Sequence, residues 1–541
     1  MKKLNAALMV MLWLCATAAA QPQLSGNVSG TYGPGSYLVV GNITLATGNS
    51  MVIQPGTILA FGGFYRFDIN GYLLALGTPT DSIKFIRNNP AQPWKGIRFH
   101  DSSNDSSRLE YCLISGSDSG GVQFIDANAS LSHCSIRDNR AGTGGGMLIF
   151  GNSSPSISHC LIQNNRALLY WAGGIYIGYW GCSPTISDCI IADNRANHGA
   201  GIVSGHDCLI FRCKIERNVA LYGGGGIHID QTDATIAYCT IRENSAYFGA
   251  GIEVYKGLAR LDHCLIAGNT ASWAGGGIAD DMCGSLITHC TIVGNRADSY
   301  GSALFGAPTM VNSIVAGNQG ASAVCNFDPG YLAVKYCDFH ANETGNFYNC
   351  PPAMGVKVAV NPNGDSCDVF NNIFEDPLFE EPSGGNFHLT WANFPIPDST
   401  MSPCIDAGSP ARLDPDGTVA DMGAFYFDQN GSDSAPPPET AGWHGNQIRE
   451  IIAPEDKFLV ACLPNPFNPS TALSFDLPIA SFVNLAVFDI FGRLVATLAD
   501  GWREAGVHEV TFDGSGLPSG IYLYRLSAGE FTSGGKMVLM K

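Results

Sequence analysis

A column of acidic and histidine side chains is the first place in this chain where chemistry is expected. The sequence repeats about every 25 residues, so residues one repeat apart are expected to lie side by side. Glu253 then lies beside His228, with Asp230 diagonally adjacent and Asp281 one repeat later. Carboxylates at this spacing suit acid–base catalysis on a glycoside, or Ca²⁺ binding for a lyase reaction with Lys256 as the base. The alternative is an ordinary solvated polar face.

A column of rings stands four or five residues before the Ile of each Gly-Gly-Ile motif. Rings stacked on an exposed edge form a platform for sugar faces or for a protein partner. If the rings fold over the turn instead, they close a corner of the core. The predicted ligand-binding residues are Trp171, His198, Tyr222, Phe248, Trp273 and Tyr300.

Two further sets of residues suggest metal binding. Asp414, Asp416 and Asp421 have a spacing that suits oxygen coordination of Ca²⁺, and the alternative is an Asp-rich turn that bonds its own backbone. A histidine often stands directly before the repeated Cys, and His with Cys is a common ligand combination for zinc. Consecutive strand residues point to opposite faces, so such a His and Cys cannot share an ion. A surface pair such as His263 and His289 is the remaining metal candidate in that column.

The element that must position these residues is the repeat itself, C-x-I-x-x-N-x-A followed by Gly-Gly-Ile or a close variant. Cys and Ile share a buried face by strand alternation. The Asn is expected at a left-handed bend, with its amide bonded to the Asn one rung away. Three short strands and three turns per repeat describe one coil of a parallel β-helix. The repeated Cys are Cys112, Cys134, Cys160, Cys189, Cys213, Cys239, Cys264, Cys290 and Cys337, and the Asn are Asn139, Asn165, Asn194, Asn218, Asn244, Asn269, Asn295, Asn318 and Asn342.

The chain contains 18 cysteines, which in an exported protein would normally predict disulfides. The repeated Cys form a file with parallel Cβ vectors, a poor geometry for an S–S bond, so they are predicted to be buried small hydrophobes. The predicted disulfide formers lie outside the file and are Cys182, Cys208, Cys283, Cys325, Cys350, Cys367 and Cys404.

Composition and the N-terminus predict export. The net charge is −18 and only 14% of residues are charged, which predicts a poor partner for nucleic acid. Lys2 and Lys3 precede an apolar run and a small-residue cleavage site ending at Ala20, which predicts a signal peptide over residues 1–20. No later segment has 18 consecutive apolar residues, so no transmembrane segment is predicted.

The repeats resemble the right-handed parallel β-helix superfamily, the pectate-lyase-like fold, over roughly residues 24–430. Their Gly-Gly-Ile and Asn motifs also resemble those of polymorphic outer-membrane and adhesin proteins. The resemblance implies a fold and is nearly silent on activity. The Asp-Asp and Arg signatures of polygalacturonases and pectate lyases are not found in the sequence.

The last 80 or so residues change to short alternating strands at 8-to-12-residue spacing, which predicts a small β-sandwich. Their motifs, among them Leu463-Pro464-Asn465-Pro466-Phe467 and Ser519-Gly520-Ile521-Tyr522, resemble the type A C-terminal sorting domain of the type IX secretion system. This resemblance implies passage across an outer membrane by the type IX machinery. The alternative is an Ig-like carbohydrate-associated module.

The predicted fold is all-β, a right-handed parallel β-helix solenoid followed by a small Ig-like β-sandwich. The predicted function is an exported cell-surface or secreted protein that binds polysaccharide or a surface ligand without catalysis. The alternatives are a polysaccharide lyase or glycoside hydrolase, for which Ca²⁺ is the candidate cofactor, and a structural stalk. The predicted segments are the signal peptide 1–20, entry coils 21–110, repeats 111–345, a closing segment 346–430, a Pro/Gly/Ser linker 431–453 and the sorting domain 454–541.

Overall fold

A computed structural model describes residues 21–101, 103–281, 284–326, 332–430, 461–463, 467–477, 481–489, 493–503, 506–528 and 531–541. The predicted signal peptide and linker lie outside the described residues. The chain divides into two compact units, Met1–Gly445 and Asn446–Lys541, and each is described by itself. Among the described residues, no helix has the length and apolar character needed to cross a membrane.

The first unit is a β-solenoid whose strands form parallel columns. The largest sheet has 26 strands and consists of two columns that share the long strand Gly35–Leu45. The Cys column contains Gln23–Asn27, Thr57–Phe61, Ile83–Arg87, Cys112–Ser115, Ser135–Arg137, Leu161–Gln163, Ile190–Ala192, Lys214–Glu216, Thr240–Arg242, Leu265–Ala267, Thr291–Val293, Ile314–Ala316 and Asp338–His340. The Gly column follows the glycine turns and contains Phe67–Ile69, Ile97–Phe99, Val122–Ile125, Met147–Phe150, Ile175–Ile177, Ile202–Ser204, Ile227–Asp230, Ile252–Tyr255, Ile278–Asp281, Leu304–Gly306, Val324–Cys325 and Phe347–Tyr348.

Two further sheets complete each coil. The Ser column precedes the Cys and contains Gly30–Tyr32, Ser50–Ile53, Tyr72–Leu76, Arg108–Glu110, Ser130–Ser132, Ser156–Ser158, Thr185–Ser187, Cys208–Phe211, Asp233–Ala237, Leu258–Asp262, Leu286–Thr288, Thr309–Val311 and Ala333–Lys335. The corner strands follow the Asn and are Arg140–Ala141, Arg166–Ala167, Arg195–His198, Val219–Gly223, Ser245–Phe248, Thr270–Ala274, Arg296–Ala297 and Gln319–Gly320. The three-strand coil predicted from the repeat is therefore present, with this short corner strand in addition.

Inward side chains of the three main columns form one continuous apolar core. Ile215, Ile227 and Ile236 come from the three columns of neighbouring coils, and each is fully buried. At the corner, the buried Asn residues form the predicted ladder. The backbone N–H and the side-chain amide of Asn218 both donate to Asn244 Oδ1 at 3.0 Å, and this pattern recurs from Asn139 to Asn342.

The left-handed bend is displaced by one residue from its predicted place. The residue before each Asn has positive φ, as in Asp138 (59°), Asp193 (57°) and Glu243 (56°). The prediction that Asn itself bends the chain was wrong. An Asn in the ladder must direct its amide into the core, so the bend falls on its neighbour, whose side chain remains outside.

The Cys file is buried and contains free thiols, as predicted. Cys213 Sγ donates to Phe211 O at 3.3 Å, and Ser313, which replaces Cys once, makes the same bond to Val311 O at 2.9 Å. The disulfide prediction fails for most of the off-file set: Cys182, Cys325, Cys350, Cys367 and Cys404 are free thiols. Cys208 is buried and accepts a hydrogen bond from Ser204 Oγ, and Cys283 lies outside the described residues.

The closing segment packs along the side of the solenoid. Its regular elements are the strands Ala359–Val360, Ser366–Cys367, Phe379–Glu381 and Asn386–Leu389 and the 3₁₀ helix Pro382–Gly384. Cys404, Ile405 and Met422 pack with Leu265 and Val293, which point outward from the Cys column. This segment therefore buries outward-facing side chains of the last coils.

The second unit consists of two small antiparallel sheets. The strands are Ala461–Leu463, Ser470–Leu477 and Gly506–Asp513 in one sheet, and Ser481–Asp489, Leu494–Arg503, Gly520–Ala528 and Phe531–Leu539 in the other. Phe475 and Phe512 of the first sheet share a core with Leu485, Leu526 and Met537 of the second. This arrangement is compatible with the predicted Ig-like sandwich.

Candidate functional site

The acidic and histidine column lies on the outer side of the Gly column. His228 pairs directly with Glu253, and Asp230 pairs with Tyr255, which in turn pairs with Asp281. These neighbours are the ones predicted from the repeat. Their outward direction follows from alternation with the buried Ile of each strand.

His228 and Glu253 form a tight pair. His228 Nδ1 lies 2.6 Å from Glu253 Oε2, and only 5% and 11% of the two side chains are exposed. A Cβ at Gly223 would stand 2.0 Å from Glu253 Oε2, so glycine at the corner makes room for the carboxylate. The pair thus points outward from the coil and is nevertheless largely buried.

Asp230 is held by a residue that sequence reasoning missed. The hydroxyl of Tyr179 donates to Asp230 Oδ2. Burial and the Asp230 carboxylate raise the pKa of Tyr179 far above its ordinary value, and they raise the pKa of Tyr176 to about 12, so both phenols remain protonated donors. A signal was available, because the coil containing Tyr179 is the longest between Asn139 and Asn342, with 29 residues between successive Asn against 23 to 26 elsewhere in the ladder.

The first half of the ring column surrounds His228. Trp171 lies edge-on to His228 at 5.5 Å between ring centroids, and His198 lies 5.7 Å from His228. Tyr222 stacks on His198 at 5.2 Å. Burial and the nearby His228 lower the pKa of His198. Sequence reasoning had assigned His198 and His228 to different sites, and the fold brings them together.

The second half of the ring column is apolar. Phe248, Trp273 and Tyr300 pack around Phe305 and Ala279, which take the outward position that Glu253 occupies earlier. The predicted single row of rings is thus divided into a polar cluster and an apolar cluster. Their roles in ligand binding stay a prediction.

Two groups of side chains among the described residues could hold a metal ion. One is His198, His228 and Glu253, and the other is Asp262, His263 and His289. Neither group was predicted as a set from the sequence.

The second group lies under the closing segment. Asp262 accepts from His263 Nδ1 at 2.9 Å and from His289 Nδ1 at 3.3 Å, while Asn312 bonds His289 Nε2 at 2.9 Å. Burial alone would raise the pKa of Asp262, but the two imidazoles hold it well below its usual range. Burial lowers the pKa of His289 to about 4. The pair expected at the surface is therefore largely buried, with 19% of His263 and 7% of His289 exposed.

The predicted calcium ligands bond backbone N–H groups. Asp414 accepts from Asp421 N at 2.8 Å, Asp416 from Thr418 N at 3.0 Å, and Asp421 from Asp406 N at 2.7 Å. Burial, with Asp416 nearby, raises the pKa of Asp414 to about 6, and burial with Asp414 nearby raises that of Asp421. The calcium assignment stays a prediction.

Comparison with protein families supports the folds described for both units. Residues 76–224, 172–281 and 225–378 match the right handed beta helix region, and together they span more than half of the chain. Residues 461–540 match the secretion system C-terminal sorting domain. No curated protein and no solved structure matches the chain. The chain therefore belongs to the right-handed β-helix family and carries a type IX C-terminal sorting domain, which directs export to the cell surface or the extracellular space.

Proposed function

We propose that this exported β-helix protein binds a polysaccharide or another surface ligand along its corner, without turning it over. The observation that carries the proposal is a set of exposed apolar side chains on the corner strands and turns, here called the corner surface. It consists of Leu169, Tyr170, Leu221, Tyr222 and Tyr247, each about half exposed or more.

Two rings of the corner surface, Tyr222 and Tyr247, are held in place by rings behind them. Tyr247 stacks on Trp273 with centroids 5.6 Å apart and planes 11° apart, and Tyr222 stacks on His198. An exposed ring that is already ordered loses little conformational entropy when a ligand covers it. Flat apolar faces of this kind suit the C–H faces of sugar rings.

The acidic side chains favour binding over catalysis. A catalytic carboxyl group must come within hydrogen-bond reach of a substrate atom. Glu253 is engaged by His228 and Asp230 by Tyr179, and both carboxyl groups are largely buried. These pairs support a role as a rigid base for the rings above them.

A column of arginines extends the corner surface toward the N-terminal coils. Arg140 pairs with Arg166, and Arg166 pairs with Arg195, on three successive corner strands. All three are exposed, and none forms an ion pair among the described residues. Arg195 also lines a polar groove of about 430 Å³ that contains three arginines, Arg137, Arg195 and Arg217, and two carboxylates, Asp138 and Asp193. Like charges on neighbouring strands repel one another, so an acidic ligand would relieve this repulsion.

The test is a binding screen of the purified full chain against neutral and acidic polysaccharides, with Ca²⁺ present and reaction products monitored. Trp171→Ala and Trp273→Ala should each weaken binding by about tenfold or more, because each removes a ring contact or the support for one. Phe64→Ala, which removes an exposed ring on the entry coils, is the matched control. Arg166→Ala should weaken binding of acidic polymers only. Unchanged affinity in both Trp variants would contradict the proposal.

Polysaccharide cleavage is the second candidate, and the observation in its favour is that Glu253 lies one strand from His228, with Asp230 diagonally across from it. New reducing ends or unsaturated sugars that disappear in Glu253→Gln would establish an enzyme. A structural stalk would bind no polymer and would respond to none of these substitutions.

A further inference from the structure

Two imidazoles and one carboxylate from three successive coils converge at one point outside the core. His198, His228 and Glu253 each offer one ligand atom, and these atoms lie within 4.8 Å of one another. The two imidazole centroids are 5.7 Å apart and their planes are inclined by 51°. Two imidazoles on one tetrahedral Zn²⁺, with Zn–N bonds of about 2.0–2.1 Å, have centroids about 5 Å apart. The three side chains therefore need only small rotations to share one ion.

One nitrogen of this group has no partner in the protein. His198 Nδ1 is buried and makes no hydrogen bond. Buried polar atoms are almost always satisfied, and an exception calls for an explanation such as a bound water or ion. This orphaned nitrogen is an observation separate from the convergence of the three side chains.

The surroundings of the group also suit a metal. His228 is 4% exposed and Glu253 is 9% exposed, so an ion there would be shielded from bulk water. Trp171 stands edge-on to His228, and Tyr222 covers His198. The contact between Glu253 and His228 already holds the carboxylate and the imidazole within mutual reach. An ion bound by both groups would take the place of the proton that they share, and the rings packed against them would keep the ligand side chains oriented.

We propose that His198, His228 and Glu253 bind one Zn²⁺-class transition-metal ion. Two imidazole nitrogens and one carboxylate oxygen suit Zn²⁺ or Co²⁺, whereas Ca²⁺ requires six or more oxygens. Three protein ligands leave a fourth position open for water or a ligand donor. The proposal goes beyond polysaccharide binding and does not depend on it.

The experiment uses the full chain, stripped with a chelator and titrated with Zn²⁺ by calorimetry and with Co²⁺ by visible absorption. We expect one equivalent bound at this group, with a Co²⁺ spectrum of low coordination number. His198→Ala should weaken binding about 100-fold or more, and Glu253→Gln, which keeps the shape and removes the charge, should also weaken it. His159→Ala, which removes an exposed imidazole stacked on His133, should leave binding unchanged.

Circular dichroism and the thermal midpoint of each variant show whether it remains folded. Because Glu253→Gln preserves packing, it tests the site even if His198→Ala lowers stability. The absence of stoichiometric binding would overturn the proposal. So would binding that persists in both variants and is lost in His263→Ala, because the ion would then occupy the group around Asp262.

Discussion

Replacing one Asn in the middle of the ladder should destabilise the solenoid far more than replacing a surface Asn. Asn218 is fully buried and donates through Nδ2 to Ile191 O at 2.9 Å and to Asn244 Oδ1 at 3.0 Å. Its own Oδ1 accepts the backbone N–H and the side-chain amide of Asn194, each at 3.0 Å. Asn218→Ala therefore leaves two buried donors on Asn194 without an acceptor.

The size of the effect follows from those two donors. Each buried polar group left unsatisfied costs about 1–3 kcal/mol, so Asn218→Ala should lower the free energy of unfolding by about 2–6 kcal/mol. Asn197→Ala is the matched control on the neighbouring coil. Asn197 is half-buried and makes one side-chain bond, to Leu169 O at 2.7 Å, so its loss should cost about 1 kcal/mol or less. Asn218→Asp keeps the shape but supplies no donor when ionised, and it should be at least as damaging as Asn218→Ala.

The measurement is guanidinium unfolding of the full chain followed by far-ultraviolet circular dichroism. Hydrogen exchange of the coils on either side of Asn218 should accompany it, because a solenoid can lose part of its stack first. In Asn218→Ala, the backbone amides of these coils should lose protection from hydrogen exchange before those of the other coils. Equal destabilisation by Asn218→Ala and Asn197→Ala would refute the reasoning, since the ladder would then contribute no more than a surface amide.

Three further predictions concern the covered pair, the buried histidine and the sorting domain. Gly223→Ala places a Cβ against Glu253 and should break the contact of Glu253 with His228. The free energy of unfolding should fall by about 1.5–3 kcal/mol. An unchanged NMR signal of the His228 ring would contradict this prediction. Because the pKa of His289 falls to about 4 in the folded state, the unfolded chain takes up a proton between about pH 6.5 and pH 4 while the folded chain does not. Stability should therefore fall on acidification through that range, and the drop in thermal midpoint should be smaller in His289→Gln. Deletion of residues 461–541 should stop delivery to the surface or the medium, and immunoblots of cell fractions and medium would check this.

The buried columns could be predicted from the sequence because each repeat places them at a fixed phase. Cys213, Ile215 and Asn218 lie where alternation and stacking put them. The position of the left-handed bend was wrong by one residue, because only the hydrogen bonds of the ladder reveal which residue must face inward. The acidic column was also placed correctly, as the pairing of His228 with Glu253 shows.

The surroundings of that column could not be predicted by counting residues. The corner strands contain bulges, so His198 pairs with Gly223, and Gly223 pairs with Phe248. The ring column therefore slips out of register and divides into two clusters. The longer coil that contains Tyr179 brings this residue to Asp230, over 51 residues of sequence.

The coil, the core columns and the ladder follow from the sequence alone. These depend on local alternation and on stacking of identical positions, which a fixed period makes explicit. Which outward side chains meet depends on the folded arrangement. It brings His198 to His228, and it places Ser409 of the closing segment against Asn312, which bonds His289. Those contacts depend on bulges, insertions and packing between distant segments, and none of these features appears as a periodic pattern in the sequence.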